Sequence, residues 1–219
     1  MWVEKYKPSQ IEDVIFENSG VREFFNKIIS TGEVPNIILA GTPGVGKSLI
    51  TSIILDKLCS PFDILTINCS DETSVDVVRE KVNYFAKTQA QSKYKIVELS
   101  ESDYLSHNAQ ATLRHLIEEV SFNCRFIFTC NYSHKIIDAL KSRCQVIEFK
   151  NPDILSIAER CIGMLQSESI EYDEDVVIDI IKTCYPDIRR TIHTIENSIV
   201  DNKLVSVNKV EEDVDFVNL

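Results

Sequence analysis

The chain is 219 residues long and 44% hydrophobic, with six Gly, six Pro and a formal net charge of −11. That length and composition fill one large domain, or one large and one small, and exclude a disordered or fibrous chain. A free-standing nucleic-acid binder is normally basic, because it neutralises phosphates, and this chain is acidic.

The acidity is uneven. Residues 152–219 carry 15 acidic and 6 basic side chains, against 19 and 17 in residues 1–151, so a locally basic surface in the first part is compatible with the total. Seven Cys stand at 59, 69, 124, 130, 144, 161 and 184, an odd number without a CxxC pair. That argues against a zinc site or a disulfide framework and for reduced, mostly buried thiols in an intracellular protein. The opening MWVEKYKPSQIEDV is charged from the start, unlike a signal peptide. No apolar run approaches the roughly 18 residues of a membrane span.

In chain order, the periodicity predicts a helix near 18–30, with Val21, Phe24, Phe25 and Ile28/Ile29 at helical spacing, stopped by TGEVP. NIILAG is a buried strand and KSLITSIILDKL a helix. FDILTINCS is the next strand, followed by an amphipathic helix over SVDVVREKVNYFAKTQ with Val75, Val78, Val82 and Phe85 on one side. YKIVEL is a third strand, SHNAQATLRHLIEEV a helix capped by Ser106, CRFIFTC a fourth strand, HKIIDAL a short helix and CQVIEF a fifth strand. Short apolar strands separated by helices predict an α/β fold, a mostly parallel sheet covered on both faces. After KNPD only helices are expected: PDILSIAERCIGMLQSES, DEDVVIDIIKTC, PDIRRTIHTIENSI with Pro186 in its first turn, and a further one near 207–215. The expected division is an α/β domain over 1–151 and a small helical bundle over 152–219.

GTPGVGKS fits G-x-x-x-x-G-K-[ST] and lies between a strand and a helix, the context that motif requires. Gly41, Thr42, Pro43, Gly44, Val45 and Gly46 would close backbone N–H groups around phosphates. Lys47 would reach the β and γ phosphates, and the Ser48 hydroxyl would coordinate magnesium. The helix N-terminus adds free donors and a favourable dipole. Binding of ATP with Mg2+ is the central expectation. Hydrolysis demands more: a second hold on the metal, a group to orient water, and cations for the γ-phosphate.

WVEKYKP, GTPGVGKS, SVDVVREKV, AQATLRHLIEEVSFNCRFIFTCN, IIDALKSRCQVIEF and PDIRRTI follow one another in an order that resembles the small ATPase subunits of sliding-clamp loaders. These belong to the AAA+ superfamily and include the replication factor C small subunits and the clamp-loader ATPase of T4-type bacteriophages. The resemblance spans essentially the whole chain, with Lys7 where Arg is usual. It implies a P-loop NTPase fold with a five-stranded parallel sheet and a helical lid. It places Glu4, Tyr6 and Pro8 near the adenine, and Asn131 at the first sensor, which helps place the attacking water. Arg143 matches an arginine finger acting in trans on a neighbour's ATP. Arg189 matches the second sensor, with Pro186 where Gly is common.

In that family the third strand ends in Asp-Glu-Ala-Asp. Counting back from Ala109 puts Ser100 at the first Asp, Glu101 at the Glu, Ser102 at the Ala and Asp103 at the last Asp. The resemblance therefore implies a catalytic Glu101 beside a Ser100 that is neutral where the metal is organised, with weaker magnesium dependence and slow hydrolysis. Glu98 shares the face of Ser100 by strand alternation. Its expected role is an ion pair with a nearby Lys or Arg or a place at a wet strand edge, with substitution for the lost carboxylate as the alternative.

The family also tracks primer–template DNA with cations at helix starts, which implies roles for Arg79, Arg114 and, less directly, Lys81; His115 stands where a second Arg is common. Implied partners are other clamp-loader subunits, a ring-shaped sliding clamp and primer–template DNA, with no membrane. The family attaches a helical collar domain after the lid, and DVDFVNL comes too early for it, so the expectation is a shortened chain or a member without the collar, monomeric or weakly associated by itself and an ATPase only with partner subunits. Localisation would be intracellular: nuclear in a eukaryote, cytoplasmic in a prokaryote, in the host cell for a virus. The competing readings are a non-catalytic interaction subunit, favoured by Ser100, and an unrelated AAA+ remodeller, disfavoured by SRC and WVEKYKP.

Overall fold

The computed structural model describes residues 1–17, 19–71 and 75–206. A short helix, α1 (Trp2–Lys5), opens the chain, and α2 (Ser19–Thr31) follows a single 3-10 turn. The described chain forms two compact units. One comprises Ser9–Thr42 and Gly46–Lys150. The other holds Met1–Pro8, Pro43–Val45 and the chain from Asn151 onward. Chain order alone had put all of 1–151 in one domain. The first eight residues instead join the helical unit, because polar groups there hold them. Trp2 N donates to Glu196 Oε2 at 3.0 Å, Tyr6 Oη to Glu168 Oε1 at 2.7 Å, and Arg160 Nη2 to the Tyr6 carbonyl at 2.6 Å.

The α/β unit contains β1 (Ile37–Gly41), α3 (Lys47–Leu58), β2 (Ile64–Asn68), α4 (Val75–Lys87), β3 (Lys95–Ser100), α5 (His107–Glu119), β4 (Cys124–Cys130), α6 (Asp138–Lys141) and β5 (Gln145–Phe149). All five strands are parallel, in the order β2-β3-β4-β1-β5. The register sets Ile38 beside Phe128 and Val146, and Val97 beside Phe126. On one face Ile38, Val97, Leu99, Phe126 and Phe128 pack on Val78 and Val82 of α4 and Leu113, Leu116 and Ile117 of α5. The alternate residues Ile37, Leu39, Ile96 and Ile127 are equally buried; they face the other way, where α3 meets β1, β3 and β4. Burying each such side chain is worth roughly 1.5–3 kcal/mol. Helix propensities differ by only tenths of that, so burial on both faces decides the fold, and the strands read as continuous apolar runs. The edge strand β5 is the wettest, with Val146 exposed.

Ser106 caps α5 as its sequence predicts, accepting from Ala109 N at 3.2 Å. The short helix expected over HKIIDAL is broken: a 3-10 turn at Ser133–Lys135 precedes α6. Burial pushes the Cys124 and Cys130 thiols up to about 11 and those of Cys144 and Cys161 up to about 12. All seven Cys are free.

The helical unit is built from α7 (Ile154–Ser167), α8 (Glu174–Cys184) and α9 (Ile188–Asn197). Each begins on an aspartate cap: Asp153 on Ser156 N, Asp173 on Asp175 N and Asp187 on Arg190 N. Such caps contribute about 1 kcal/mol each. Ile157, Cys161, Leu165, Val177, Ile181 and Ile195 form its interior. Two expectations are corrected here. Pro186 precedes the cap of α9 instead of lying in its first turn, because Asp187 takes the capping position. And the region is not purely helical: β6 (Ile199–Val200) and β7 (Lys203–Leu204) pair antiparallel around Asp201 and Asn202, both left-handed (φ 48° and 64°). Asp and Asn tolerate that turn conformation, and the β-branched Ile199 and Val200 before it extend into a strand. The helix expected near 207–215 lies outside the described residues.

Candidate functional site

The order of the sheet places the ends of β3, β4 and β1 side by side at its carboxyl edge, the edge where open α/β sheets take ligands. Leaving β1, the chain turns sharply. Gly41 runs so close to Phe149 that a Cβ would stand 2.6 Å from its carbonyl oxygen. Gly44 (φ 75°) and Gly46 (φ 101°) are left-handed, a conformation glycine adopts without steric cost. Ile50 N donates to Gly46 O at 3.0 Å to begin α3. A first helical turn leaves its N–H groups without intrahelical partners, so the loop and helix start form an electropositive backbone cradle.

Lys47 opens α3 and is 92% removed from solvent. Its Nζ donates to the carbonyls of Gly41 (2.7 Å) and Thr42 (2.9 Å) and to Asn131 Oδ1 (3.1 Å). Asn131, just past β4, is thus brought to Lys47 from 84 residues away. Its own backbone N–H donates to Asp103 Oδ1 at 3.2 Å, and Asp103 is buried. The sequence reading located Asp103 but gave it no task; it fixes the backbone at Asn131. The Ser48 hydroxyl is exposed on the first turn of α3.

The end of β3 is poorer in charge. Ser100 Oγ is turned to the Ile67 carbonyl at 3.4 Å, a long contact. Glu101 is exposed with φ 55°, a strained setting for a non-glycine residue that costs on the order of 1 kcal/mol. Glu98 is half-buried and accepts from Thr66 Oγ1 at 3.1 Å, its neighbour across β2 and β3. Desolvation raises its pKa, and the Thr66 hydroxyl pulls the other way. The expected Lys or Arg partner is replaced by that hydroxyl, because an outward-facing Thr on the edge strand stands directly opposite. The donor set fits a triphosphate well and a magnesium ion less well. Ser48 and Ser100 offer neutral oxygens, and among the described residues no group of three His, Cys, Asp or Glu is placed to hold a metal.

The remaining residues lie elsewhere. Arg143, two residues past α6, bonds Glu118 of α5. Arg79 lines a shallow groove between α4 and α5 with Val78, Ala109, Leu113 and Leu116. Arg114 lies on α5 with Nη2 2.6 Å from His115 Nε2, and Lys81 is exposed on α4. In the helical unit, Arg189 is exposed on the first turn of α9. Tyr6 is committed to Glu168, which raises its hydroxyl pKa. Glu4 and Pro8 flank it on the same segment. Pro43–Val45 also group with this unit: a Cβ on Gly44 would stand 1.8 Å from Asp187 Oδ1. The sequence reading missed Gln110, which donates to the carbonyls of Leu105 and Lys135 and accepts from Ile137 N. A polar residue on the inner face of an amphipathic helix was the available signal.

Residues 37–152 match the model of the ATPase family associated with various cellular activities (AAA). The chain is 31% identical over 220 residues to replication factor C subunit 4 of Saccharomyces cerevisiae, covering 98% of this chain and 68% of that protein. It is 31% identical over 215 residues to the replication factor C small subunit of Methanocella arvoryzae, covering 96% and 66%, and 32% over 200 residues to that of Halobacterium salinarum, covering 90% and 62%. It thus spans about two thirds of the length of the curated relatives it matches. A variant of Thermotoga maritima RuvB superposes with a TM-score of 0.72 at 14% identity, over 97% of this chain and 73% of that one, a likeness of fold. The phosphate-loop geometry, the sheet order and these relatives agree: the chain belongs to the AAA ATPases and, within them, to the replication factor C small-subunit family.

Proposed function

We propose that the chain binds ATP in the loop Gly41–Ser48 and serves as an ATPase subunit of a clamp loader that opens a sliding clamp and loads it onto primer–template DNA. The observation that carries the reading is the buried Lys47 ammonium, held at the cradle's mouth by three neutral oxygens. Phosphate oxygens would replace neutral acceptors by charged ones, roughly doubling the strength of each hydrogen bond. In this reading Asn131, tied to Lys47 and anchored by Asp103, orients a water and Glu101 polarises it. Magnesium, held by Ser48 with Ser100 nearby, would neutralise charge developing on the phosphates.

In the same reading, the α/β unit is the nucleotide domain and the helical unit, which includes residues 1–8, is a lid. Glu4, Tyr6 and Pro8 lie near the adenine, Arg189 reaches the γ-phosphate from the lid, and Arg143 acts on a neighbour's ATP. Arg79, Lys81 and Arg114 meet DNA phosphates, contacts that are salt-dependent and blind to base sequence. Partner subunits and the clamp complete the assembly inside the cell. Ser100 slows hydrolysis. It also favours the second reading, a subunit that binds nucleotide without turning it over, since its hydroxyl is turned to the β2 backbone.

The test is clamp- and DNA-stimulated ATP turnover with partner subunits. Lys47→Ala should weaken nucleotide binding by roughly tenfold to a hundredfold. Arg143→Ala should lower turnover while this chain's own nucleotide affinity stays unchanged. Turnover insensitive to both substitutions would reject the proposal, and binding without turnover in every assembly would establish the second reading.

A further inference from the structure

Arg143 is already engaged on its own chain. Its Nε donates to Oε1 of Glu118 at 2.6 Å and its Nη2 forms an ion pair with the same oxygen at 2.5 Å, while Nη1 donates to the Ala139 carbonyl at 2.9 Å and to Ser142 Oγ at 3.3 Å. Glu118 is in the last turn of α5, and α5 packs against α6. The guanidinium edge carrying Nε and Nη2 is one that presents N–H groups side by side to a carboxylate or a phosphate. Here a carboxylate occupies it. The two side chains remain 30% and 55% exposed, so another anion can reach them.

We infer that Glu118 is a positioning residue that holds Arg143 on its own subunit, and that a phosphate presented by a neighbouring chain engages Arg143 by displacing this carboxylate. The inference rests on reading Arg143 as a group that acts in trans. Physically it is a competition between two anions for one guanidinium. The holding pair is solvent-exposed and therefore weak and screened by salt, which makes the hold reversible. The Ala139 carbonyl and Ser142 hydroxyl are neutral and would keep Arg143 near its present place without competing for charge. Removing the charge of Glu118 therefore frees the finger without dismantling its support. Nothing in the sequence around Glu118 distinguishes it from Glu119; the contact is a product of the fold.

Two measurements test this on the full chain, after circular dichroism confirms unaltered folding of each variant. The first is modification by phenylglyoxal, an arginine reagent, read at Arg143 by peptide mass spectrometry. Glu118→Gln should speed modification of Arg143 by about two- to fivefold, the range a weak exposed ion pair allows. Glu118→Asp should restore part of the protection, and the rates at Arg22 and Arg125 should not change. Equal rates at Arg143 in wild type and Glu118→Gln would overturn the hold.

The second measurement mixes copies. Donor chains carrying Lys47→Ala are titrated into receiver chains carrying Arg143→Ala, and ATP turnover is followed. Adding Glu118→Gln to the donor should lower the half-maximal donor concentration by about two- to fivefold and leave the plateau unchanged. An unchanged half-maximal concentration, or a lowered plateau, overturns the competition. Absence of turnover in every mixture, alongside faster modification of Arg143, would instead overturn the trans reading between copies of this chain, with the hold on Arg143 established.

Discussion

Strands β1 and β3 end at one edge of the sheet, separated only by β4, and they end in contrasting ways. After β1 come left-handed glycines, a buried lysine and a helix start, an arrangement whose every part favours an anion. After β3 comes Ser100, whose hydroxyl is spent on a neighbouring carbonyl, then an exposed Glu101 in a strained conformation, then a buried Asp103 that serves the backbone of Asn131. The first end is organised to grip phosphate. The second carries an exposed Glu101 beside a neutral Ser100, which on the proposed reading polarises water without organising a cation. On the proposed reading binding and turnover are separable, and substitutions on the two sides should separate them.

The largest effect should fall on the β1 side. Lys47→Ala removes the cation facing the phosphates, a charge-assisted interaction worth about 1.5–3 kcal/mol. Isothermal titration with ATP should show affinity weakened by roughly tenfold to a hundredfold. An unchanged affinity would mean that the backbone cradle alone grips the nucleotide and that the comparison overstates Lys47. Gly44→Ala comes next. It forces a side chain into a left-handed position and pushes Asp187 away from the N-terminus of α9. Strain and the lost cap together should lower stability by about 1–3 kcal/mol, seen as a lower midpoint in urea. A midpoint equal to wild type would show that Asp187 caps α9 from another rotamer.

On the β3 side, Ser100→Asp supplies the missing charge. Turnover in the assembled complex should rise by about tenfold, the effect of roughly 1.4 kcal/mol on the barrier, and become more dependent on magnesium, while ATP affinity changes little. If turnover stays put, the residue at the end of β3 is not what limits hydrolysis.

The β1 side was legible in the sequence because its chemistry is local. A strand, a glycine loop, Lys47 and a helix are contiguous, and each choice is dictated by backbone conformation. The strands were legible because burial on both faces leaves uninterrupted apolar runs. What escaped depends on tertiary juxtaposition. Asp103 meets Asn131 across 28 residues, and Glu118 meets Arg143 across 25. Lys95, at the start of an apolar strand, is buried against Asp63 at 3.9 Å and over the Phe85 ring. No period or motif marks such pairs. The β6–β7 ribbon and the true cap of α9 were missed for a different reason: strong helical periodicity before Asp201 and on either side of Pro186–Asp187 outweighed the turn signals.

The smallest effect concerns Glu98, and it asks how much charge the β3 side tolerates. Burial raises the pKa of this carboxyl in the folded chain, only partly offset by the Thr66 hydroxyl. The folded state thus holds a proton at pH values where the unfolded chain has released it. Stability should therefore fall as pH rises from the ordinary glutamate range through the raised folded value, and the cost is fully present above that value. Glu98→Gln keeps an acceptor for Thr66 and removes the charge. At neutral pH it should stabilise the chain by about 0.5 kcal/mol, and the gain should vanish as pH drops below the unfolded glutamate range. Urea midpoints of the two proteins measured across that interval decide the matter. If Glu98→Gln is instead destabilising at neutral pH, the ionised carboxylate is being stabilised in place. The end of β3 would then be less depleted of useful negative charge than Ser100 suggests.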